Sequence, residues 1–197
     1  MFAGGTDGNE QLTAVTGVVL LVLLAALGVT ILRIGQLRNP HMFLGMLLLG
    51  PVVLKMGSTG YRFVRYYVGE RAYRVKGPPA IELRLLAPFV VALTVVVFGT
   101  GVALLLVGPA HRGILLQLHK VSFFAWLAAT GLHVLGHLAE MPRALAGAAR
   151  HRGRWDDHGA GRGSRALLLA SALAGGLIIA LLAESQFGAW ANYHHGG

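Results

Sequence analysis

Four histidines and two lysines lie inside apolar stretches of this chain, where an ionisable side chain is expensive and therefore points to a role. The stretch "LHKVSFFAWLAATGLHVLGHLAEMP" (118–142) carries His119, Lys120, His133 and His137, and "PHMFLGMLLLGPVVLKMGSTGYR" (40–62) carries His41 and Lys55. His119 and His133 are 14 residues apart, about four helical turns, with Trp126 midway and His137 one turn further, so the four share a helix face. His41 and Lys55 repeat that interval of 14. Two neutral imidazoles reaching in from facing helices suit a six-coordinate haem iron, each giving a nitrogen lone pair to one side of the macrocycle. His41 with His119 is the expected pair. His133 and His137, from one helix surface, cannot clamp a haem from both sides but could share a zinc or copper ion. A second haem would need Lys55 as a deprotonated ligand opposite His133. Otherwise the lysine serves a phosphate, a propionate or another anion.

The composition decides where these residues live. Of 197 residues, 55% are hydrophobic and 13% charged, with mean hydropathy +0.62. That is half the charge of an ordinary soluble domain. No cysteine is present, which removes disulfides, thiolate haem ligation, iron–sulfur clusters and zinc–thiolate sites. The net charge of +9 sits in loops beside apolar spans, a pattern of membrane topology and not of nucleic-acid binding.

Five stretches are long and apolar enough to cross a bilayer: 12–33, 41–61, 85–107, 114–139 and 166–184. An all-α integral membrane bundle of five transmembrane helices follows, a single domain over 1–197. Spans two to four form its centre, spans one and five lie outside, and 140–165 is a basic flexible loop. Acid before the first span (Asp7, Glu10) argues against a secretory signal. Twelve arginines and lysines fall in the 62–84 and 140–165 loops, against Arg33, Arg38 and Arg112 on the other side. This predicts a cytoplasmic N-terminus and an outward C-terminus in a bacterial inner membrane. "NPH" (39–41) reads as a helix cap followed by proline in the first turn. "GYRFVRYYVGERAYRVKGPP" (60–79) interleaves tyrosine and arginine as an interfacial belt does. All eight acids lie in loops or at span ends, which disfavours a proton- or cation-coupled transporter.

Spans two and four run parallel, so depths compare. His41 can face His119 near the outer side, and Lys55 can face His133 near the inner side. Arg38 and Arg112 are placed for haem propionates. Glycines 45, 50, 99, 101, 131 and 136 leave room for a flat macrocycle or simply for close helix packing.

The segments "RNPHMFLGMLLLGPVVLKMGSTGYRFVRYY" and "LHKVSFFAWLAATGLHVLGH" resemble small bacterial, actinobacterial-looking membrane b-type cytochromes, four-helix cytochrome b-like bundles. The resemblance covers about residues 38–139. It implies bis-histidine haem b near each leaflet, with His41 and His119 as the outer pair and His133 as half of an inner one. Lys55 stands where a fourth histidine is expected, so one haem is indicated and two require the lysine. The expected function is electron transfer within or across the membrane, with quinone or a redox partner protein as the counterpart. The protein could serve as the electron-transfer subunit of an oxidoreductase, with oligomerisation open. The competing readings are a cofactor-free membrane scaffold or accessory subunit, with interhelical histidine bonds and lipid-binding basic loops, and a small-solute or metal transporter using His133, His137 and Lys55.

Overall fold

The structure, a computed structural model, describes residues 5–75, 81–150 and 162–193, and of 5, 7, 82, 137–150 and 162 the backbone alone. Among these residues every regular element is a helix. In order they are α1 (Gly5–Leu32), α2 (Arg38–Tyr67), α3 (Arg71–Val75), α4 (Ile81–Val107), α5 (Gly113–Arg150), α6 (Arg162–Ala183) and α7 (Phe187–Ala191), with 3-10 turns at Pro109–His111 and Glu184–Gln186.

Four of them contain stretches long and apolar enough to cross a membrane: Gly8–Leu32, Arg38–Tyr67, Leu83–Val107 and Gly163–Ala191. The expected fifth span, 114–139, lies within α5; the side chains of its last residues, 137–139, fall outside the described ones, and among the described residues it is not one of the four. The distribution of polarity is that of a membrane bundle. Val22, Phe89, Phe124 and Leu182 face outward, while Asn9, Thr16, Thr30, Ser58 and Ser122 are buried. Water would favour the opposite arrangement, and lipid does not penalise apolar surface.

Several helices outrun their expected bounds. α2 begins at Arg38 with Leu37 as its N-cap and no side-chain capping bond, so Asn39 and Pro40 sit in the first turn and Asn39 is not the cap. The 140–165 segment is not simply a loop. Residues 140–150 continue α5 and 162–165 open α6, while 151–161 fall outside the described residues. "RALAGAAR" (143–150) is rich in alanine, the strongest helix former, and propensity carries the helix onward.

The centre also differs from expectation. α2 packs most closely on α6 and α1, α4 pairs with α5, and the two groups meet through a slighter α2–α4 contact. Pro51 explains the α2–α6 seam. It has no N–H, so the carbonyl of Leu47 loses its helical partner. Gly176 of α6 packs its backbone against that carbonyl, and Gly50 packs against the carbonyl of Ala172. Only glycine permits such an approach at either point. Beyond the crossing, Met46, Leu105, Ala180 and Phe187 form a buried cluster that folds α7 under this end of the bundle.

A polar seam holds α1 to α2. Asn9 Nδ2 donates to the Ser58 carbonyl at 3.2 Å, Thr13 Oγ1 to Ser58 Oγ at 3.1 Å, and Lys55 Nζ to the Thr13 carbonyl at 2.7 Å. In α4–α5, Trp126 Nε1 donates to Thr94 Oγ1 at 2.9 Å, and Leu83 lies against Gly136. The α4–α5 turn is made by Gly108 at φ +73°, a conformation that side-chain-bearing residues avoid. This antiparallel order puts the starts of α2 and α5 at the same end.

Candidate functional site

His41 stands one turn into α2 and His119 two turns into α5, at that shared end. Both are half-buried and near enough for charge on one to be felt at the other. Each ring is fixed through its Nδ1 by a partner on the preceding helix. For His41 the partner is Thr30 Oγ1 on α1, at 2.9 Å. For His119 the partners are the Val97 carbonyl and Thr100 Oγ1 on α4, both at 3.1 Å.

The direction of these bonds follows from counting protons. A threonine hydroxyl has one hydrogen. Thr30 donates its own to the Leu27 carbonyl at 2.5 Å, and Thr100 donates to the Val96 carbonyl at 2.8 Å. The threonines can then only accept, and a carbonyl always accepts, so Nδ1 carries the proton in both rings. Nε2 is therefore the nitrogen with the free lone pair in each. Among the described residues no hydrogen bond reaches either Nε2, and neither atom is among the buried polar atoms without a partner, so both open onto accessible space. Histidines that ligate metal are commonly held this way. Residue type alone does not single out Thr30 or Thr100. The signal was available, since both lie near the end of the helix that precedes a candidate histidine.

Small residues flank the pair. A Cβ at Gly45, one turn beyond His41, or at Gly99 would meet nothing within 4 Å, whereas one at Gly101 would come within 3.2 Å of the His119 ring. Two imidazoles at one end of the bundle, each with its Nδ1 anchored and its Nε2 unbonded, are a donor set of the kind that holds a metal.

The inner half of the expected arrangement does not assemble. Lys55 turns to α1, where its ammonium donates to Thr13 and lies against Gly17, and the expected facing of Lys55 and His133 is not formed. The polar edge of α1 attracts the ammonium more than the apolar flank of α5 does. His133 is half-buried and has a polar contact of its own. The side chain of His137 lies outside the described residues. Among the described residues no three His, Cys, Asp or Glu side chains gather as a metal site, and the expected His133–His137 pair cannot be placed because the His137 side chain lies outside them.

Arg38 and Arg112 lie at the His41 end of the bundle and are engaged by the C-terminal segment. Arg38 Nη1 donates to the Trp190 carbonyl at 2.5 Å, and the Arg112 guanidinium lies 4.5 Å from the centre of the Tyr193 ring. The buried Nε1 of Trp190 has no acceptor among the described residues, leaving one donor available at this end. Lys120 is exposed, and Trp126 is a packing residue bonded to Thr94 and stacked on Phe123.

No protein-family model matches this chain, and no curated protein or solved structure matches it either.

Proposed function

We propose that this chain is a membrane b-type cytochrome of five transmembrane helices, α5 being the fifth, that holds one haem b between His41 and His119. The observation that carries the reading is the matched tautomer of the two rings. Nδ1–H is anchored on both, and Nε2 is left bare on both, at the same end of helices α2 and α5. Bound haem would supply one-electron chemistry. The chain's own contribution is to fix ring orientation through Thr30, Thr100 and Val97. Positive-inside topology puts the N-terminus in the bacterial cytoplasm and this site near the outer face. Exchange with quinone or a redox partner at that face is then favoured over transfer across the whole membrane, because Lys55 is committed to α1.

A second reading is favoured by the same bonds. Histidine–threonine pairs between helices are also what a cofactor-free scaffold would use to fix its packing. A dithionite-reduced minus oxidised spectrum with pyridine-haemochrome quantification separates the two. The cytochrome gives one haem per chain, lost in His41→Ala and in His119→Ala. A colourless protein, expressed with ample haem, leaves the scaffold.

A further inference from the structure

At the end of the bundle opposite His41, arginine outweighs acid. Arg62 and Arg65 lie on the last turns of α2, Arg71 and Arg74 on α3, Arg84 near the start of α4 and Arg165 near the start of α6. Among the described side chains the acids at this end are Glu10 and Glu70, and Glu70 is ion-paired with Arg65. Arg84 donates to the Tyr67 hydroxyl at 2.5 Å, and Arg65 also lies over the Tyr61 ring at 5.6 Å. Arg62, Arg71 and Arg74 have no acidic partner among the described residues.

The local fold directs these arginines outward. Glycine at φ +93° (Gly69) breaks α2 and turns the chain into α3. Tyr73 is buried edge-on against Tyr61, ring centres 6.3 Å apart, which clamps α3 on α2. Arg71 and Arg74, three residues apart, are left exposed together. Beside them Phe63, Tyr66 and Tyr67 form a linked aromatic group, with centres 4.5 and 5.2 Å apart, where α2 leaves its apolar run. Aromatic rings at this level sit among glycerol and headgroups, and planar guanidinium forks match phosphate oxygens.

We propose that Arg62, Arg71 and Arg74 form a binding surface for the phosphate of an anionic phospholipid of the phosphatidylglycerol class, seated against the Tyr66–Tyr67 rings. The surface stands a bundle length from His41 and does not depend on haem.

Lipid retention tests it. The full chain is reconstituted in equal phosphatidylcholine and phosphatidylglycerol and extracted in mild detergent, and the lipid that copurifies is quantified. The wild type retains phosphatidylglycerol in excess. That excess falls about fivefold for each arginine removed in Arg71→Gln and Arg74→Gln. It also falls when the wild type is washed in about 1 M salt, a measurement that holds even if a variant fails to fold. Arg33→Gln, at the opposite end, leaves it unchanged. The proposal is overturned if Arg33→Gln lowers the excess as much as Arg71→Gln does, if the excess resists salt, or if inorganic phosphate displaces the lipid and protects the protein from heat equally well.

Discussion

Thr30 accepts the Nδ1–H of His41 at 2.9 Å, and it is the only partner that this ring nitrogen has among the described residues. His119 differs, because its Nδ1–H is shared between the Val97 carbonyl and Thr100. If the proposed haem is bound, removing the threonine acceptor would make each imidazole a weaker donor, destabilise ferric iron more than ferrous and raise the potential. For Thr30→Val one interhelical bond of ~0.6 kcal/mol sets a ceiling of roughly 25 mV on the rise, since only the part of the bond that differs between ferric and ferrous states moves the potential. For Thr100→Val the backbone carbonyl still holds the ring, and the rise is smaller. Potentiometric titration of both variants, with haem content unchanged, checks the order. Equal shifts would mean that the two rings are not held differently.

Lys55 carries the sharpest prediction about stoichiometry. Its ammonium is held by the Thr13 carbonyl, so on the proposed cytochrome reading Lys55→Met leaves the haem content at one per chain. Replacing a half-buried cation by an apolar chain of similar length is neutral or stabilising by up to about 1 kcal/mol. Haemochrome assay and thermal midpoint read both effects. A haem content cut by half in Lys55→Met would make the lysine a ligand after all.

The helices, and the common end of His41 and His119, were legible because apolar length and an interval of 14 residues survive any choice of neighbour. What Lys55 faces was not legible, because one helix face can meet either flank. The missed information lay in α1, which reads as uniformly apolar until Asn9, Thr13 and Thr16 are seen to recur at helical spacing. That polar edge draws Lys55 and leaves α5 to His119. The α2–α6 seam was equally hidden, since Gly50 and Gly176 are read as small residues until Pro51 exposes a carbonyl for them to approach.

Tyr73 gives a pH signature outside the spans. Burial, then the nearby Tyr61 and Glu70, push its hydroxyl above the ordinary tyrosine value. An acid whose folded value is raised contributes stability that is fully present below its unfolded value, near 10, and is lost as pH rises through the folded one. The clamp of α3 on α2 should therefore loosen at the alkaline end. In a tyrosinate absorbance titration, Tyr73→Phe removes an ionisation above the normal range and abolishes that alkaline loss. Loss of an ordinary ionisation near 10 instead would place Tyr73 in water.

Gly176 and Gly175 are neighbours with opposite expectations. A Cβ at Gly176 would collide with the Leu47 carbonyl, a backbone atom that cannot step aside, so Gly176→Ala must push α6 off α2. Overpacking of this kind costs about 1–3 kcal/mol. It also reopens to lipid a carbonyl that Pro51 has already deprived of its helical partner. At Gly175 a Cβ meets nothing within 4 Å, and Gly175→Ala gains helix propensity, up to about 1 kcal/mol. Gly136→Ala falls between them, because the atom in its way is Leu83 Cδ2, the end of a side chain that can rotate. Thermal midpoints in detergent should rank the variants Gly175→Ala, Gly136→Ala, Gly176→Ala from most to least stable. A stable Gly176→Ala would mean that α2 and α6 do not cross backbone to backbone.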